Sequence, residues 1–347
     1  MINLYALDQT QLGDLMAGWG QPRFRTKQLW TWMYEHGATS FEEMTSLPKA
    51  LRERLTENTV LGFLSVDTEQ QSADGTVKRL YRLPDGQLIE SVLMKYDDRR
   101  RTACISSQAG CAMGCAFCAT GQMGFARHLT ADEIFEQAQR FSAELRAAGE
   151  RLSNVVLMGM GEPFHNYDAA LAAIRRLMQD LGIGARHITV STVGLAPRIR
   201  QFALEGLQVK LAISLHATED PVRSKMMPIN RRYDIAELID ACHTYVEKTS
   251  RRITFEWALI AGKNDTIEEA RRLGRLLKGL RCHVNLIPLN PTTGYTGQPT
   301  PPAQVAAFVQ TLAGFGVPAT VRVRRGIDID AGCGQLKSTV LNKQRPG

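Results

Sequence analysis

The 347-residue chain contains no uninterrupted apolar run near the ~18 residues that a membrane-spanning helix needs. Its opening, Met1-Ile-Asn-Leu-Tyr5, lacks the basic n-region of a secretory signal, so a cytoplasmic protein is expected. Short repeats and low-complexity tracts are missing too, and the Pro/Thr/Gly-rich stretch from Pro291 to Pro302 reads as a loop. A disulfide framework is also excluded. The cysteine count of seven is odd, and four of them fall between positions 104 and 118. In a reducing compartment such clustering points to metal or thiol chemistry. No later C-x2-C pair is present to complete a four-cysteine zinc site.

What the chain does have is 44% hydrophobic and 22% charged residues, enough apolar material for a sizeable core and about two domains of ~150 residues. Lys plus Arg (42) exceed Asp plus Glu (35), and a net charge of +7 favours a polyanionic partner such as nucleic acid. The basic clusters are Arg99-Arg100-Arg101, Arg231-Arg232, Arg251-Arg252 and Arg322 to Arg325. Each alone reads as a solvated charged face; together they suggest phosphate contacts for some.

Apolar residues recur at helical spacing at Leu29, Trp30 and Met33 and again at Leu47, Leu51 and Leu55, predicting short helices in the first ~65 residues. Ser40 and Glu43 form a capping-box pattern, and Pro48 suits the first turn of the next helix. Between Val77 and Met94 strand patterns flank the turn Pro84-Asp85-Gly86. From Thr102 onward, strand-like runs beginning at Thr102, Asn154, His187, Val209, Arg252 and His283 alternate with helix-like runs, one of them opened by the capping box Thr130–Glu133. These βα units predict a parallel sheet, either an open doubly wound sheet or a partial barrel, with a last strand over 319–323.

Cys111, Cys115 and Cys118 have the spacing C-x3-C-x2-C on a Gly-rich loop after the first of these strands. Three thiolates could hold a cubane iron–sulfur cluster with one iron left open, or a zinc ion completed by Cys104 or His128. In a barrel, chemistry belongs at the C-terminal strand ends. The residues expected there are Gly161 and Glu162, Ser191, Ser214 to His216, and Asn290. Cys333, flanked by Gly332 and Gly334, is an uncrowded thiol suited to a mobile nucleophile, whereas Cys242 and Cys282 read as packing residues.

The string Cys111-Ala-Met-Gly-Cys115-Ala-Phe-Cys118 resembles the signature of radical S-adenosylmethionine (SAM) enzymes. Cys104-Ile-Ser-Ser-Gln-Ala-Gly-Cys111, Met158-Gly-Met-Gly-Glu162-Pro163, Ile213-Ser-Leu-His216, Asn285-Leu-Ile-Pro-Leu-Asn290 and Gly326-Ile-Asp-Ile-Asp-Ala-Gly-Cys333 narrow the resemblance to the RlmN/Cfr family of RNA adenine methyltransferases. The N-terminal Phe24-Arg25-x-Lys27-Gln28-Leu29-Trp30 fits as well.

The resemblance implies a partial (β/α)6 barrel over 99–318, a helical RNA-binding accessory unit over 1–75, a connecting hairpin over 76–98 and a C-terminal strand and cysteine loop over 319–347. It implies a [4Fe-4S] cluster on Cys111, Cys115 and Cys118, and SAM bound by Gly161, Glu162, Ser191, Ser214, Leu215, His216 and Asn290. Two SAM molecules would serve each turnover. One methylates Cys333; the second yields a 5′-deoxyadenosyl radical that activates this methyl group for addition to adenine. Cys104 would then resolve the adduct through a transient disulfide with Cys333, with Glu90 as proton acceptor.

The implied substrates are the peptidyl-transferase-centre adenosine of 23S rRNA and the tRNA adenosine beside the anticodon, modified at C2 by a monomer reduced by flavodoxin or ferredoxin. C8 methylation, conferring antibiotic resistance, is the alternative within the family. A non-catalytic, zinc-stabilised RNA-binding module is the alternative of another class. Gly332 departs from the family pattern, where Ala is expected, and predicts a looser cysteine loop.

Overall fold

The alternating strand-like and helix-like runs form, in a computed structural model describing residues 1–290, 292 and 294–337, one ten-stranded sheet. Its strands, numbered here within this sheet, are β1 Ser65–Gln71, β2 Val77–Arg82, β3 Leu88–Lys95, β4 Arg101–Cys104, β5 Asn154–Leu157, β6 Ile188–Thr192, β7 Lys210–Ser214, β8 Ile253–Leu259, β9 Cys282–Pro288 and β10 Ala319–Val321. Spatial order follows chain order throughout. β4 to β10 are parallel, while β1 to β4 pair antiparallel.

That order decides between the two predicted architectures. An open doubly wound sheet needs a reversal of strand order to put helices on both faces. Right-handed crossovers that always step the same way keep the helices on one face, and the twisted sheet curls around the other. The result is the expected partial barrel, with Ala131–Ala147, Tyr167–Gln179, Ala196–Phe202, Ile235–Thr249, Ile267–Leu277 and Pro302–Ala313 as its crossover helices. Phe255, Trp257 and Leu259 on β8 are fully buried, as suits a strand covered on both faces.

The N-terminal helices Gln9–Gly18, Arg23–Thr31 and Lys49–Asn58 share one hydrophobic core with the barrel. Arg176 fastens them: its guanidinium lies 4.0 Å over the Phe135 ring, donates to Tyr34 Oη at 3.0 Å and reaches the Tyr5 carbonyl. Glu136, on the first barrel helix, accepts from the Phe63 and Leu64 amides at 2.8 and 2.9 Å and from Arg140 Nε at 2.8 Å. Gly62 permits this approach, since a Cβ there would stand 2.1 Å from Glu136 Oε1.

Several local expectations change. Residues 65–71, placed in the helical stretch, form β1; all seven are exposed, so no alternation marks them as strand. Ser40 and Glu43 do not open a helix; the Glu43 carboxylate instead accepts from Thr39 Oγ1 at 2.8 Å. The last strand stops at Val321. The cysteine loop is separated from β4 by a small antiparallel pair, Gln108–Gly110 with Phe125–His128. Among the described residues no helix is long and apolar enough to cross a membrane.

Glu136→Ala would strand two amides and Arg140. We expect a loss of about 2–4 kcal/mol in urea unfolding; an unchanged midpoint would show that this carboxylate does not join the N-terminal helices to the barrel.

Candidate active site

The C-terminal strand ends surround a cavity of about 160 Å³, where a single water needs about 10–15 Å³, so it has room for a ligand much larger than solvent. Cys111, Cys115 and Cys118 line it, with Gly161, Glu162, Ser191, Ser214, His216, Asn290 and Cys333. Six strands and the C-terminal segment therefore contribute to one chamber.

The cysteine loop is held at both ends. Cys111 N–H donates to Gly124 O at 2.8 Å, and Ala116 N–H to Met226 O at 2.9 Å. Gly121 packs so closely that a Cβ would lie 2.8 Å from both Cys115 N and Cys115 O. The three thiols with this apolar surround, Phe117, Met227 and Leu289, suit the soft donor set of an iron–sulfur cluster. Among the described residues no three His, Cys, Asp or Glu side chains converge on a single-ion site. His128, offered as a fourth zinc ligand, is exposed and bonded to Gln108 Nε2 at 3.0 Å. Thiols spread along a cavity wall fit a polynuclear group better than one zinc ion.

The ligand-facing residues are set by the backbone. Gly161 takes φ +100°, and a Cβ there would lie 2.6 Å from the Gln108 side chain. Glu162 accepts from Phe164 N–H at 2.9 Å and Val193 N–H at 2.8 Å, and burial pushes its carboxyl up to about 7. His216 adopts a left-handed φ of 60°, accepts Ala258 N–H on Nδ1 at 2.9 Å and meets Phe117 edge-on at 4.9 Å. Burial first, then Arg223, pushes its imidazole down to about 3, so it is neutral. Asn290 Nδ2 holds the Cys333 carbonyl at 3.1 Å, while the buried Asn290 Oδ1 has no hydrogen-bond donor among the described residues. A buried acceptor left open beside a cavity suits a ligand amino group.

The C-terminal segment is tied across this chamber rather than left mobile. Gly334 O accepts from Ala119 N–H and Leu336 O from Thr120 Oγ1, both at 2.7 Å. Gly332 does not loosen it: a Cβ there would stand 2.6 Å from both Asn290 Nδ2 and Gln335 Oε1, so this position admits only glycine while those neighbours stay put.

Other expected site residues stand apart from the cavity wall. Leu215 is fully buried in the core. Cys104 is buried at the end of β4, close enough to Cys333 to interact electrostatically; burial foremost, then Cys333, pushes its thiol up to about 12. Glu90 is not an exposed strand carboxylate. It is 2% exposed, paired with Lys78 Nζ at 3.5 Å, and accepts Lys337 N–H at 2.8 Å. Burial pushes it up to about 7 against the pull of Lys78. Cys242 and Cys282 are buried packing residues, as expected.

Two cavity residues were not anticipated. Glu256 interrupts an apolar strand, a signal that it serves a purpose, and takes a 2.7 Å bond from Asn285 Nδ2. Arg322, assigned to a basic surface cluster, instead lines the cavity, where the Cys333 sulfur above all holds its guanidinium charged.

A parallel partial barrel with three thiols on the loop after its first strand defines a radical SAM enzyme. The Radical SAM superfamily model matches residues 105–274, and the model for the ribosomal RNA large subunit methyltransferase N-terminal domain matches residues 2–61. The dual-specificity RNA methyltransferase RlmN 1 of Myxococcus xanthus is 54% identical over 99% of this chain and 96% of its own length. A probable dual-specificity RNA methyltransferase RlmN of Geobacillus kaustophilus is 45% identical over 97% of this chain and 92% of its own. The crystal structure of a radical SAM methyltransferase from Sphaerobacter thermophilus superposes with a TM-score of 0.92 at 49% identity, covering 97% of this chain and 99% of that one. The chain belongs to the RlmN family of radical SAM RNA methyltransferases. It is an enzyme of the iron–sulfur, SAM-dependent class, and the non-catalytic zinc module is set aside.

Glu90 yields a pH test. Its folded value of about 7 lies above the ordinary 4.5, so between these the folded chain keeps a proton that the unfolded chain has lost. Its contribution to stability is complete below the ordinary value and falls as pH rises through the window. Relative to Glu90→Gln, the wild type should lose up to about 1.4 kcal/mol per pH unit in unfolding free energy. A pH-independent difference would mean that Glu90 ionises normally.

Proposed function

We propose that this enzyme methylates C2 of the peptidyl-transferase-centre adenosine in 23S rRNA and C2 of the tRNA adenosine beside the anticodon, using a methyl group carried on Cys333. The observation that carries this reading is that Cys333 lines the same cavity as Cys111, Cys115 and Cys118. That the relatives are named dual-specificity RNA methyltransferases supports two RNA substrates.

Cys111, Cys115 and Cys118 would hold a [4Fe-4S] cluster, with SAM against Gly161, Glu162, Ser191, Ser214, His216 and Asn290. When bound, they supply one-electron chemistry able to remove hydrogen from an unactivated methyl group. An external donor such as flavodoxin or ferredoxin provides the electron. In our reading two SAM molecules are used per turnover, the first of them methylating Cys333.

This chain's own residues then handle thiol and proton. Cys333 carries the carbon to adenine, because a ring C–H carbon is too weak a nucleophile to take methyl directly from SAM. Cys104 releases the product: its thiolate attacks the Cys333 sulfur, the sulfur–carbon bond breaks, and the electron pair leaves with the product carbon, which takes up a proton to become the methyl group. With its thiol raised by burial, Cys104 rests protonated and needs a base first. Glu90, near neutrality, is the proton acceptor in this reading. The disulfide is reopened by cytoplasmic thiols after each turnover.

Substrate approach is supported by a groove that shares Asn290, Arg322 and Cys333 with the cavity and is also lined by Arg324 and Arg325. Arg100 and Arg325 lie 3.9 and 4.5 Å over the Tyr96 ring. A cationic and aromatic rim suits an unstacked single-stranded segment.

Nucleoside mass spectrometry of rRNA and tRNA from cells with and without the protein should reveal 2-methyladenosine lost from both; 8-methyladenosine instead would assign the C8 branch. Cys104→Ala should accumulate protein covalently joined to RNA, seen as a slow-migrating band. Normal turnover by that variant would remove Cys104 from the cycle.

A further inference from the structure

Arg223 sits on the helix Asp220–Met226 that follows β7, and its side chain is fully buried. Four of its five N–H donors are spent on neutral acceptors. Nε–H bonds Leu215 O at 3.1 Å, Nη1 bonds Asn230 Oδ1 at 2.8 Å, and Nη2 bonds Val193 O at 2.7 Å and Ser214 O at 3.0 Å. Asp220 is one residue removed, taking a 2.9 Å bond from Asn230 Nδ2. Burial pulls the guanidinium down to about 10, which still leaves it charged at neutral pH.

A buried cation without a direct counter-ion is costly unless something nearby repays its desolvation. The same helix leads to the cysteine loop. Met227 N–H bonds Arg223 O at 2.7 Å, Ala116 N–H bonds Met226 O at 2.9 Å, and Cys115 packs with Met226, Met227, Ile260 and Leu289. The space around Cys115 is therefore apolar, so a charge beside it is weakly screened. Gly194, at φ +105°, packs against both Leu238 and the guanidinium: a Cβ there would stand 2.9 Å from Leu238 Cδ1 and 3.3 Å from Arg223 Nη2.

We propose that Arg223 is the built-in counter-charge of the cysteine loop, offsetting the negative charge that the thiolates and their cluster bring into an apolar pocket and thereby setting the cluster's reduction potential. With four of its five N–H donors held by backbone and amide oxygens, it acts through its field as a positioning residue. The inference rests on the radical SAM reading. Reduction adds negative charge, so removing a nearby positive charge disfavours the reduced form and moves the potential downward.

The test is a redox titration followed by electron paramagnetic resonance on anaerobically reconstituted full-length wild type, Arg223→Lys and Arg223→Gln, with iron content measured in each. Lysine keeps the charge and loses the fork; glutamine keeps amide donors and loses the charge. We expect Arg223→Lys to titrate with wild type. At the wild-type midpoint Arg223→Gln should have at least a tenfold lower reduced-to-oxidised ratio, a shift of about 59 mV. Glutamine titrating with wild type, or both variants shifting alike, would overturn the proposal.

If Arg223→Gln does not fold, Asp220→Asn gives the arm of opposite sign. An amide oxygen can still accept from Asn230 and Ile235, both at 2.9 Å, while a charge opposing Arg223 is lost. The potential should rise; no rise would overturn the proposal. A wild type that takes up no cluster would instead remove the radical SAM reading itself.

Discussion

Two hydrogen bonds join parts of the chain that are more than two hundred residues apart: Ala119 N–H to Gly334 O, and Thr120 Oγ1 to Leu336 O, each 2.7 Å long and the latter spanning 216 positions. They fasten the C-terminal segment to the far end of the cysteine loop. The barrel's own strand pairing does not reach Cys333, so bonds of this kind set its relation to Cys111, Cys115 and Cys118. The other anchors of the segment, Asn290 to the Cys333 carbonyl and Glu90 to the Lys337 amide, come from opposite halves of the sheet. The segment thus closes a curved sheet whose two edges do not meet.

The closure has an electrostatic consequence. Arg322 on one side of Cys333 and Arg223 behind Cys115 place two cations in the low-dielectric interior, where fields are strong. Glu162 and Glu256 are buried carboxyls at the same chamber, both raised by burial. A chamber with preset charges can stabilise a charged cofactor with little reorganisation at the moment of reaction. The neutral His216 fits this setting, presenting a ring without adding charge.

Much of the barrel was legible because periodicity and capping report directly on burial. The strand starts at Thr102, Asn154, His187, Val209, Arg252 and His283 fall within a residue or so of β4 to β9, and Thr130 with Glu133 forms the capping box predicted. β1 was invisible for the converse reason: every residue in it is exposed, so it carries no alternation. Ser40 and Glu43 matched a capping pattern, yet Phe41, Met44 and Leu47 around them are buried from bends and turns rather than from a helix. Site residues at strand ends were legible from topology alone, but Leu215 was not separable from its neighbours. Serine and histidine beside it face the cavity, whereas Leu215, just past the end of β7, packs into the core.

The charge balance was the least legible feature. A surplus of seven positive charges suggests a basic surface, but a sum over residues cannot say which cations face solvent. Arg101 is paired with Glu150, Arg79 with Glu69 and Glu144, and Arg127 with Asp85 and Glu133. Arg223 is fully buried, and Arg322 lines the chamber. The cations that bear on a polyanion are therefore fewer than the total implies, and their position counts for more. Arg324 and Arg325 line a groove with Cys333 at the rim of the chamber, so a phosphate backbone brought there would meet positive charge.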